Sequence, residues 1–148
     1  MPNPSRGERN RNPGNIDFNP RNKWEGQIGK ETGPNGRFAV FVDPESGIRA
    51  VAKLLLNYRG KDGEPGVGKP GIDTPLEFIH RWAPPVENDT GAYVAVIARA
   101  LGVTPLTPID IRDYKTLLTV VTEIIKHENG YQPYAPAVIA EGVRRALA

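Results

Sequence analysis

Ile48, Val51, Ala52, Leu55 and Tyr58 recur at the 3.6-residue spacing of one helix face. Asp43 supplies an N-cap, Pro44 stands at the first helical position and Glu45 complements the dipole, so a helix is predicted to about Arg59. Thr74-Pro75-Leu76-Glu77 is a capping-box pattern opening a second helix through about Trp82, where the prolines of APPVEND forbid continuation. A third helix, capped by Asp89 or Thr90, places Tyr93, Val94, Ile97 and Leu101 on one face and closes at Gly102. The fourth starts at Asp110 or Asp113 and runs to about Asn129, and a last one opens at Pro136 with Val138, Ile139, Val143 and Leu147. Alternation in RFAVFV (37–42) marks a short strand, with Asn15–Phe18 as a second candidate. The expected fold class is mainly α with a small β ribbon (α+β). With no internal repeat and no boundary signal, residues 1–148 form one expected domain.

The fourth helix carries an anomaly. Leu117, Val121, Ile124 and Glu128 lie on one row of its surface, and Leu118, Val121, Ile125 and Glu128 on another. Both rows put Glu128 on the apolar face, at the electronegative end of its own helix, two residues before Gly130. Burial and the dipole together disfavour the ionised form, which is the direction a general acid working near neutral pH requires. The plainer alternative is a glutamate that ends the helix and bonds to nearby backbone. Tyr131, Gln132 and Tyr134 follow directly, and aromatic and polar side chains of this kind suit a sugar-binding cleft.

Composition narrows the class. At 39% hydrophobic and 24% charged, the 148-residue chain reads as an ordinary globular protein, and its 16 glycines and 15 prolines call for long ordered loops. The absence of cysteine excludes disulfides and thiolate zinc sites. His80 and His127 have no partner at ligand spacing, so neither a metal nor another cofactor is expected. No signal-peptide pattern and no membrane-spanning run is read. The formal net charge is +2, unevenly spread: Arg6, Arg9, Arg11, Arg21 and Lys23 crowd the first 23 residues. Residues 1–12 are therefore expected to be a basic, partly flexible segment, open to an anionic polymer such as nucleic acid or cell-wall material.

Other motifs dissolve on inspection. Gly63-Glu64-Pro65-Gly66-Val67-Gly68-Lys69 matches G-x-x-x-x-G-K, but Pro70 and Gly71 follow where a phosphate loop needs Ser or Thr and a helix. Ser46 sits in the first turn of a helix, not at a nucleophile elbow. Asn88-Asp89-Thr90 is formally a glycosylation sequon, with nothing pointing to a secretory pathway that would use it.

HENG, after TEIIK, resembles the segment that ends the catalytic helix of lysozyme-like lytic transglycosylases and related glucosaminidases. RNPGNI (11–16), WEGQ (24–27) and FAVFVDPESGI (38–48) are similar to further pieces of those enzymes, but stand before the glutamate instead of after it, as a circular permutation would place them. From Arg6 to Gly142 the chain also resembles virion proteins of phages and prophages, some of them linked to peptidoglycan degradation during entry or lysis. The resemblance implies a lysozyme-like domain in which Glu128 protonates the glycosidic oxygen between N-acetylmuramic acid and N-acetylglucosamine. It implies Asn15, Gln27, Asn88 and Tyr93 on the substrate side, with Tyr131 and Tyr134 lining the cleft. Glu8, Asp17, Glu25, Glu87 and Asp89 are all candidates for a second carboxylate, and Glu8 is the rival acid. With none standing out, a lytic transglycosylase, which needs one Glu, is favoured over a hydrolysing lysozyme. The implied partners are peptidoglycan strands and other virion proteins rather than nucleic acid, and the implied place of action is the bacterial wall or periplasm, reached from a phage virion or host cell. The alternative is a non-catalytic structural or peptidoglycan-binding virion protein.

Overall fold

The computed structural model describes residues 3–61, 71–85 and 88–148. Its element order is α1 (Arg6–Arg9), β1 (Gln27–Lys30), β2 (Ala39–Phe41), α2 (Pro44–Tyr58), α3 (Pro75–Trp82), α4 (Thr90–Leu101), α5 (Tyr114–Asn129) and α6 (Pro136–Leu147). The fold is mainly α with a two-stranded antiparallel ribbon. The glycine-rich stretch 63–69 and Glu87 lie outside the described residues.

The helix ends follow their capping chemistry. Asp43, Asp89 and Asp113 each accept a hydrogen bond from a backbone N–H of the first turn of α2, α4 and α5, and Thr74 and Glu77 close a reciprocal capping box on α3. Gly102 and Gly130 terminate α4 and α5 at φ +70° and +80°, a conformation glycine adopts without a Cβ penalty. Helix α2 packs chiefly on α6, and α5 on α4 and α6. Ile48, Val51, Leu55, Phe78, Tyr93, Ile97, Leu117, Ile124 and Val143 meet in one core.

Two expectations change at the N-terminal end. The strand expected at Asn15–Phe18 is a single bridge from Asp17 to Phe38, and the partner of β2 is instead β1, paired Lys30 to Ala39 and Gly29 to Val40, with a register shift between Gly29 and Gln27. The segment 1–12, expected to be partly flexible, is tied down from Ser5 onward. Ser5 and Glu8 form a capping box on α1, Arg6 reaches Glu31 at 2.5 Å, and Asn12 is fully buried. Packing anchors that periodicity does not register, single buried asparagines and glycines, hold this segment. A Cβ on Gly47 would collide with the carbonyl of Arg11, so α2 and the N-terminal loop approach as closely as backbones allow.

Candidate active site

The buried stripe of α5 is Leu117, Val120, Val121, Ile124 and Ile125. One further turn brings Glu128 to the edge of that stripe, half-buried and lining an open cleft of about 510 Å³. Glu128 is therefore accessible, rather than sealed in the core. Its Oε2 accepts a hydrogen bond from the hydroxyl of Tyr93 at 3.0 Å, and no ion pair of Glu128 is found among the described residues. Tyr93 comes from α4 and is fully buried. Its oxygen accepts in turn from Trp82 Nε1 at 3.1 Å, and its ring stacks on His127 at 3.7 Å between centroids. Burial first, and then the neighbouring charge of Glu128, push the Tyr93 phenol far above its ordinary value. The hydroxyl thus stays protonated and points its hydrogen at the carboxylate, fixing the orientation of Glu128.

A loop from the opposite end of the chain forms the facing wall. The Asn12 carboxamide donates to the carbonyls of Ile16 and Ala39, both at 2.9 Å, and accepts from the Ile16 N–H at 3.0 Å, closing residues 12–16 into a tight turn. Asn129, the neighbour of Glu128, accepts from Ser5 Oγ at 2.5 Å and donates to the Pro13 carbonyl at 2.9 Å. These bonds hold the turn against the end of α5. Gly14 lies against Trp82 and Val51, where a Cβ would come within 2.6 Å of Val51 Cγ2 and 3.0 Å of the indole. Asn15 follows at φ +50° and lines the cleft with Asp17, Phe38, Tyr58, Trp82 and Asn88.

Of the residues singled out from sequence, the structure brings Glu128, Asn15 and Asn88 to one cleft, with Tyr93 directly beneath Glu128. Tyr93 offers its hydroxyl to Glu128, not to a substrate. Gln27, Tyr131 and Tyr134 do not line the cleft. Among the described residues the Gln27 side chain reaches only the Asn22 carbonyl, at 3.4 Å; Tyr131 donates to Glu8; and the Tyr134 hydroxyl is shielded, with burial pushing it up to about 12. The rival acid Glu8 is a structural group. Burial opposes its charge, but hydrogen bonds from Tyr131 and Ser5 hold its carboxyl below the usual range. Arg6, two residues before it, is engaged with Glu31 instead.

Among the other candidate carboxylates, Glu25 pairs with Arg49 at 3.4 Å and Asp89 caps α4, whereas Asp17 does line the cleft. Both Asp17 oxygens are taken by Arg37, at 2.7 and 3.1 Å. The aromatic wall of Phe38, Tyr58 and Trp82 was missed by pattern reading. Trp82, closing a short helix before two prolines, was the one legible signal.

No protein-family model matches the chain. It is 33% identical over 140 residues to protein P5 of Pseudoalteromonas phage PM2, an alignment covering 93% of this chain and 79% of that protein. The chain belongs to the family of that phage protein. The stretch shared with P5 takes in nearly all the residues described, so the cleft lies within the family's common length. Kinship with P5 agrees with the phage resemblance of the sequence, and no helix of the described residues is long and apolar enough to cross a membrane.

Proposed function

We propose that this phage-family protein is a peptidoglycan-degrading glycosidase with a lysozyme-like, circularly permuted domain, and that Glu128 is its general acid. The observation that carries the reading is the setting of Glu128: a half-buried carboxyl in an open cleft with aromatic walls, oriented by a buried tyrosine hydroxyl. Aromatic faces beside carboxamides and, among the described residues, a single available carboxyl suit a polymer of N-acetylated pyranoses. The joining of RNPGNI to HENG through Asn129 is also what a rotated order of lysozyme-like pieces requires.

In this reading Glu128 donates its proton to the glycosidic oxygen between N-acetylmuramic acid and N-acetylglucosamine, and the C1–O bond breaks. The same carboxylate then takes the proton of the muramic C6 hydroxyl as that oxygen bonds to C1, leaving a 1,6-anhydro ring. A hydrolysing enzyme that uses paired carboxylates needs a second one free to position water or to attack C1. Asp17, the other described carboxylate in the cleft, has both oxygens held by Arg37, which favours the transglycosylase course. Phage kinship suits action at the bacterial wall or periplasm from within a virion or from the infected host, with other virion proteins as partners.

The test is a digest of purified sacculi by wild type and Glu128→Gln, with soluble products identified by mass. Anhydro-muropeptides from wild type alone are expected. Reducing ends would make the protein a lysozyme. Equal release by both proteins would move the acid elsewhere. No release by a folded wild type would leave a non-catalytic virion or wall-binding protein.

A further inference from the structure

The chain contains two Asn-Gly pairs, Asn35-Gly36 and Asn129-Gly130. In such a pair no side chain on the glycine screens its backbone nitrogen from the asparagine carboxamide, so the amide is easily lost. The fold treats the two pairs in opposite ways. Asn129 lies in the last turn of α5 with both ends of its carboxamide held. Its Oδ1 accepts from Ser5 at 2.5 Å, and its Nδ2 donates to the carbonyls of Pro13 and Ile125 at 2.9 and 2.7 Å. Asn35 stands exposed in the turn between β1 and β2, and its side chain makes no hydrogen bond to any described residue. Its backbone carbonyl accepts from Arg6 Nη2 at 3.0 Å. That carbonyl belongs to the same peptide group as the Gly36 nitrogen, so the guanidinium draws electron density away and makes the Gly36 N–H easier to deprotonate. Against this stands a bond from the Gly36 N–H to the Gly33 carbonyl, at 3.2 Å.

We propose that Asn35 is a site of spontaneous deamidation in the folded protein, and that the fold protects Asn129 from the same reaction. The Gly36 nitrogen gives its proton to solvent and attacks Asn35 Cγ. The Cγ–Nδ2 bond breaks, and ammonia leaves with a hydrogen taken from solvent. Water then opens the resulting succinimide at one carbonyl or the other, giving aspartate or isoaspartate. Either product sets a new carboxylate beside the Arg6–Glu31 pair, where it competes for the guanidinium. Isoaspartate also lengthens the backbone by a carbon where room is short, since a Cβ on Gly36 would already lie 2.3 Å from the Glu31 carbonyl oxygen. None of this depends on the glycosidase reading.

The test incubates the native protein and a urea-unfolded sample side by side in mildly alkaline buffer, until both pairs have converted measurably in the unfolded chain. Proteolytic peptides are then weighed, each product being heavier by the exchange of an NH2 group for OH. In the native protein Asn35 should convert at a rate comparable to that in urea. Asn129 should convert roughly tenfold or more slowly, since its hydrogen bonds must open first. Equal conversion at the two sites, or faster conversion at Asn129, would overturn the proposal, and so would an Asn35 that reacts only in urea. The urea midpoint of Asn35→Asp should fall below that of wild type. Asn35→Gln, whose longer side chain closes the ring poorly, should keep both its mass and the wild-type midpoint. An unchanged midpoint in Asn35→Asp would overturn the link from this site to Glu31.

Discussion

At Tyr93 one hydroxyl satisfies two side chains. It accepts the Trp82 indole N–H and donates to Glu128, so deleting it orphans a donor and frees a carboxylate at once. Tyr93→Phe keeps the ring stacked on His127 and removes only that oxygen. We expect it to cost about 1–2 kcal/mol of stability. On the proposed reading, in which Glu128 is the acid, turnover of sacculi should fall roughly tenfold or more, through kcat rather than KM, because the carboxyl loses its orientation while the binding surface stays. Denaturant melts and initial rates on wild type and Tyr93→Phe check this. A fall in KM-controlled binding alone would place Tyr93 in substrate contact instead. Pattern reading found Tyr93 and Glu128 separately, as members of two helix faces. Their pairing joins residues 35 positions apart and has no local signal.

Among the elements, α1 and the β ribbon are joined by one carboxylate. Glu31 is gripped by Arg6, by Asn10 and by the backbone N–H groups of Arg37 and Phe38. The Arg6 bond above all holds its carboxyl well below the usual range, against the opposing effect of burial. The folded value therefore lies below that of the unfolded chain, about 4.3 for an unperturbed Glu. Over that window the unfolded chain binds the extra proton, so the stabilisation is present above about pH 5 and is lost as pH falls toward the folded value. Glu31→Gln should lower the urea midpoint at pH 7 and narrow its gap to wild type as the pH is taken down to 3. Parallel curves would show that Glu31 contributes no proton linkage. The contact itself was not legible, because Arg6 and Glu31 are separated by a loop that has no repeating pattern.

At the scale of the whole molecule, the N-terminal segment is fastened to the last turn of α5. Ser5, Pro13 and Asn129 tie the N-terminal segment to the end of α5, and Asn12 buries its amide under the ribbon. We expect a single cooperative thermal transition in which calorimetric and van't Hoff enthalpies agree. Removing residues 1–12 should abolish that transition rather than trim a loose tail, since it exposes Gly47, the Ile16 backbone and the cleft wall together. Circular dichroism melts of the two chains test this, and an unchanged transition in the shortened one would restore the picture of a dispensable basic arm.

Helix existence, caps and ends were determined locally. Asp43, Thr74, Asp89, Asp113, Gly102 and Gly130 act on backbone groups within a few residues of themselves, and helical periodicity reports directly which face is buried. Glu128 was legible for the same reason, as the polar end of an apolar stripe. Tertiary structure alone decided that Asn15 faces it, that Asp17 is occupied by Arg37, and that Tyr131 and Tyr134 lie outside the cleft. Those outcomes depend on contacts between distant segments, fixed by how closely glycines and buried asparagines let backbones approach, and no periodicity along the chain encodes that distance.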